Sequence, residues 1–114
     1  KFALATGTTV ATEHYEPLFQ ELANDPLLMD LFQQNMALLG ETVTRLGPEE
    51  ADGSTDVGNV SQVVPTIHPD LGIGGGLVAH TPEFAAAAGS ACVQERILVG
   101  AKAMALTAID LLYL

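Results

Sequence analysis

The sequence predicts an α/β fold, and three observations carry that prediction. Residues 3–12, Ala-Leu-Ala-Thr-Gly-Thr-Thr-Val-Ala-Thr, carry the Thr and Val content of a strand. Two short apolar runs, Val63–Ile67 and Leu77–Ala79, read as further strands. Between and after them lie segments with helix start signals and apolar residues at helical spacing.

In chain order, the first strand places Leu4, Thr6, Thr8 and Val10 on one face. Ala3, Ala5, Gly7 and Ala11 lie on the other, small enough for a helix to approach. A polar stretch through Glu16-Pro17 follows, with a short helical turn expected near Leu18-Phe19. Asp25 is an N-cap residue and Pro26 suits the first helical position, where its missing N–H costs nothing. Leu27, Leu28, Leu31, Phe32, Leu38 and Leu39 recur at helical spacing, and Gly40 supplies the stop.

Residues 41–53 are polar and broken by Gly47-Pro48, which reads as a loop. The small polar run Gly53–Ser61 predicts a turn or short helix capped by Ser54. Pro65 limits the next strand to a few residues. Gly72–Gly76 matches no phosphate-binding pattern and reads as a flexible turn. Thr81-Pro82 repeats the cap-and-proline signal and opens an Ala-rich helix ending near Gly89. Ser90 caps a final helix to about Leu112. Val93, Ile97, Met104, Ala108, Ile109 and Leu112 line much of it, leaving a polar stripe near Glu95 and Lys102, so the pattern predicts burial on most sides.

The chain has 114 residues, enough for one domain, and its 48% hydrophobic content is ample for a core. A net charge of -10 argues against nucleic-acid binding and anionic membrane surfaces. No apolar run reaches the length of a membrane span. Cys92 is the only cysteine, which excludes an internal disulfide and CxxC zinc sites and points to a cytoplasmic setting. The chain opens without Met in strand-like sequence and closes on the apolar run Asp110–Leu114. Both ends predict a piece of a larger protein.

His80 lies between an apolar strand end and a helix start, a place where α/β folds gather functional side chains. A neutral imidazole there can bind a metal through one nitrogen while the other is held by an acceptor. A packed or capping histidine is the competing reading, and the residues alone leave both open. His14 and His68 read as surface residues, and Glu49, Glu50 and Asp52 as solvated loop carboxylates. Ser54, Thr55 and Asp56 can orient a ligand or touch a substrate, although such turns more often satisfy backbone N–H groups. Metal-assisted hydrolysis needs about three protein ligands and a base. His80 is the single candidate ligand, so these residues do not form a complete active site.

Four stretches resemble, in order and spacing, the C-terminal portion of the zinc amidohydrolase family that includes aminoacylase and carboxypeptidase G. They are Ala5–Thr8, Gly53–Ser61 with Val64-Pro65, His80-Thr81-Pro82-Glu83-Phe84, and Ala101–Leu111. The nearest branch is that of aminobenzoyl-glutamate hydrolases and β-alanyl-lysine-type dipeptidases. The resemblance implies the C-terminal part of a metallopeptidase catalytic domain, a mixed sheet flanked by helices, at residues 15–114. Residues 1–14 would be the last strand of an inserted lid domain used for homodimerisation. It implies two zinc ions, with manganese or cobalt as alternatives, and a small amide or dipeptide as substrate.

His80 matches the family's last metal-binding histidine. Asp56, with Ser54, Thr55, Asn59 and Ser61 around it, would support the site or contact substrate. The catalytic glutamate and the other ligands would precede Lys1, so the chain alone is expected to be inactive. The alternative is a non-catalytic assembly or binding fragment that packs its apolar final helix on a partner.

Overall fold

A computed structural model describes residues 2–47, 50 and 53–113. Five helices make up its regular structure: α1 (Phe2–Thr6), α2 (Pro26–Leu38), α3 (Val57–Ser61), α4 (Pro82–Ala88) and α5 (Ala91–Leu112). Among the described residues the extended backbone pairs at one parallel bridge, Asn24 with Thr66, where the Asp25 N–H donates to the Thr66 carbonyl at 2.9 Å.

Helix starts follow local capping chemistry. Asp25 Oδ1 accepts from the Leu28 N–H at 2.9 Å, with Pro26 next in line. Thr81 accepts from the Phe84 N–H and Ser90 from the Val93 N–H in the same way. At the far end of α2, Gly40 takes φ 82°, a conformation open to a residue without a Cβ. The Gly40 N–H bonds the Ala37 carbonyl at 3.0 Å, and the Glu41 N–H bonds the Met36 carbonyl at 2.9 Å. That pair is a Schellman closure, and it places the helix stop at the glycine the sequence marks.

Several expectations change. Residues 3–6 are helical rather than extended, and 8–15 continue without a strand partner. A strand is held by bonds to a neighbour, and without one here the helix propensity of Ala-Leu-Ala prevails. Leu18-Phe19 is irregular, and Leu77–Ala79 ends in a turn rather than a strand. Ser54 does not cap α3; the cap position is Asp56, whose side chain makes no capping bond. Glu50 is exposed, as expected of a loop carboxylate, and its Oε2 also accepts from the Gly47 N–H at 2.9 Å. Lys1, Pro48, Glu49, Asp52 and Leu114 lie outside the described residues.

The packed centre is the crossing of α2 and α5, and α4 touches α5 as well. It is thin: Met36, Val93 and Ala103 are the buried apolar residues. Beside them sit two buried polar groups, Asn35 and Thr107. Asn35 Nδ2 donates to Thr107 Oγ1 at 3.2 Å and to Asp110 Oδ2 at 2.8 Å, and Thr107 Oγ1 in turn donates to the Ala103 carbonyl at 2.8 Å. Of the α5 residues expected to be covered, Val93 is buried, but Ile97, Met104 and Leu112 are 57%, 68% and 79% exposed. The buried α5 side chains are Val93, Ala103 and Thr107, the last of them bonded to Asn35 of α2. The molecule is correspondingly extended, with a radius of gyration of 19.2 Å against about 13 Å for a compact chain of this size.

One ion pair ties the loop after α2 to α5. Arg96 Nη1 and Nη2 both donate to the Glu41 carboxylate, and Arg96 Nε donates to the Gly72 carbonyl at 3.2 Å. The guanidinium holds the Glu41 carboxyl below its ordinary 4.5, chiefly through the hydrogen bond and against a smaller opposing effect of burial. A depressed carboxylate stabilises the fold above its unfolded pKa and loses that contribution as pH falls through the folded value. Acid titration followed by the helical circular-dichroism signal should therefore show a component below pH 4.5 that Glu41→Gln removes. Identical acid profiles for the two proteins would disprove the coupling.

Candidate functional site

His80 stands at the end of a turn that Thr81 closes. Thr81 Oγ1 donates to the Val78 carbonyl at 2.8 Å and accepts from the Phe84 N–H, joining the preceding loop to the first turn of α4. Between these two bonds His80 is driven to φ 64°, and it is the single non-glycine residue with positive φ among those described. For an L-residue this conformation costs about 1–2 kcal/mol. Histidine, with Asn and Asp, is among the side chains found there more often than others. Its side chain is exposed rather than packed in hydrocarbon. The turn thus holds a solvent-facing imidazole on a strained backbone, a combination that clusters at functional positions.

The Ser54–Ser61 segment is a second turn. Thr55 Oγ1 accepts from the Val57 N–H at 3.3 Å, and the Asp56 carbonyl accepts from the Asn59 N–H at 2.9 Å. Asp56 is exposed at the start of α3, its carboxylate not spent on the cap. Ser54 faces Glu13, His14, Tyr15 and Phe19 across a hollow of 420 Å³.

Asn59 and Ser61 bond the backbone of residues 18–23. Asn59 Oδ1 accepts from the Gln20 N–H at 2.7 Å, while its Nδ2 donates to the Leu18 carbonyl at 3.1 Å. Ser61 Oγ accepts from the Ala23 N–H at 2.9 Å, and Gln62 Nε2 donates to the Glu21 carbonyl at 2.8 Å. Sequence reasoning did not single out Gln62 or Gly58 for this role. The one available signal was two amide side chains three residues apart, and their backbone partners lie about 40 positions away in the chain.

The two turns sit on separate elements, and α3 packs on none of the other helices. His14 and His68 are exposed, as the sequence predicts. Among the described residues no group of three or more His, Cys, Asp or Glu side chains gathers to hold a metal ion. A zinc ion takes three or four protein ligands. The donor set of this chain alone does not fit a metal, and His80 can supply one donor. No helix among the described residues is long and apolar enough to cross a membrane.

No protein-family model and no solved structure matches the chain. Two curated proteins do. The chain is 39% identical to an Xaa-Arg dipeptidase of Mus musculus and 38% identical to an Xaa-Arg dipeptidase of Homo sapiens, in each case over 97% of its own length. It spans 26% of the length of either relative. The similarity thus runs over nearly all of the chain and over about a quarter of each relative.

Proposed function

We propose that the chain is the C-terminal portion of an amidohydrolase that cleaves the amide bond of a dipeptide, an N-acyl amino acid or an aminoacyl conjugate. The observation that carries this reading is the identity of 39% to an Xaa-Arg dipeptidase across 97% of the chain. Those relatives are named for dipeptides ending in arginine, so such a dipeptide is the first substrate to assay. Residues 1–14 then end a lid domain through which the parent dimerises, and 15–114 belong to a catalytic domain whose mixed sheet is completed by the rest of the polypeptide.

In that whole molecule His80 supplies one donor to a site of two zinc ions, or of manganese or cobalt, and residues outside this chain supply the others. The strained, exposed turn at His80 supports the role, and so does the thin core, which leaves α5 an apolar face for other parts of the protein to cover. The test is direct. The polypeptide extended on its N-terminal side should hydrolyse an Xaa-Arg dipeptide, and the 114-residue chain should not. An extended protein that folds, dimerises and cleaves no dipeptide, N-acyl amino acid or aminoacyl conjugate would end this reading.

A second reading has its own observation. Ile97, Leu98, Met104, Ile109 and Leu112 are each at least half exposed on α5, a patch of the kind that drives association. The chain by itself is expected to self-associate, with an apparent mass in light scattering that rises with concentration. Ile97→Glu with Met104→Glu should return it to the monomer. A native chain that is monomeric at millimolar concentration would remove this expectation.

A further inference from the structure

We infer that α3 is a backbone-reading clamp that holds residues 18–23 in a single register and releases them independently of the α2–α5 crossing. Asn59, Ser61 and Gln62 make four hydrogen bonds to main-chain groups of Leu18, Gln20, Glu21 and Ala23, two donated and two accepted. Bonds to the backbone specify position along a strand rather than side-chain identity, and the mix of donors and acceptors rejects a one-residue slip.

Gly58 sets the distance of approach. It is buried, and a Cβ built on it would stand 1.9 Å from the Gln20 carbonyl oxygen, a backbone atom that cannot swing aside. The arm itself contributes little apolar anchoring. Leu18 and Phe19 are exposed, and Leu22 is half-buried. Polar bonds in partly solvated positions open at lower cost than a packed crossing, so the arm forms its own unit of local unfolding.

The clamped segment lies just past residue 14, where the hydrolase reading ends the lid domain. It would fix the point at which the chain re-enters the catalytic part, and this placement alone rests on that reading.

Amide hydrogen exchange on the 114-residue chain tests the clamp without any assay of catalysis. Asn59→Ala should speed exchange at Gln20, and Ser61→Ala at Ala23, each by about tenfold. Both variants should also be cut faster by chymotrypsin after Phe19. Met36 and Ala103, at the helix crossing, should keep their exchange rates. Gly58→Ala should expose both arm amides together. Unchanged exchange at Gln20 and Ala23 would overturn the clamp. Equal loss of protection at Met36 and Ala103, even in the mild Ser61→Ala variant, would overturn its independence. An inactive parent protein would leave the clamp standing, and a failed clamp would leave the hydrolase reading standing.

Discussion

Replacing His80 with alanine in the full-length protein should lower dipeptide turnover by at least about a hundredfold and reduce bound metal, with the fold retained. On the proposed ligand role the magnitude follows, since loss of even a group that only orients a ligand costs about 10–100-fold. His80→Gly is the sharper variant. At φ 64° glycine relieves the strain an L-side chain carries, so this change should stabilise the turn by about 1 kcal/mol while removing the imidazole. A histidine kept for packing or capping predicts the opposite: lower stability and unaltered metal. Thermal melts, metal analysis and kcat measured on one preparation separate the two. Full activity with full metal loading in His80→Gly would remove the ligand assignment.

Replacing Asn35 with leucine should cost about 2–3 kcal/mol of stability in urea melts, an unusual loss for a polar-to-apolar change inside a helix crossing. Asn35 is 3% exposed and bridges Thr107 and Asp110, so its removal leaves a partly buried carboxylate without that donor. Asn35→Asp should cost more at neutral pH, where two carboxylates would stand at hydrogen-bonding distance. Its deficit should shrink toward pH 4, as the new carboxyl takes up a proton and can donate again. Thr107→Ala should be milder, because Asn35 keeps its bond to Asp110. Wild-type stability in Asn35→Leu would show that the crossing is held by Met36, Val93 and Ala103 alone.

The sequence by itself determined where α2, α4 and α5 begin, and it marked the candidate site residues. Asp25, Thr81 and Ser90 cap as read, because a cap joins residues three apart and needs nothing beyond its own turn. Gly40 stops α2 for the same local reason. His80 was visible as a histidine between an apolar run and a cap, although its positive φ was not. Tertiary structure decided the rest.

Which face of α5 is buried was settled by its crossing with α2, where Thr107 meets Asn35 more than 70 positions away in the chain, while Ile97, Met104 and Leu112 stay exposed. Residues 3–6 became helical because a strand exists only with a partner, whereas a helix bonds to itself. Asn59 and Ser61 were flagged as side chains near a site, but their acceptors and donors at 18–23 became visible only once the chain had folded back on them. Capping and turn chemistry are written within a few residues. Burial, pairing and side-chain-to-backbone recognition belong to pairs of distant segments, and the linear order of residues does not say which pairs meet.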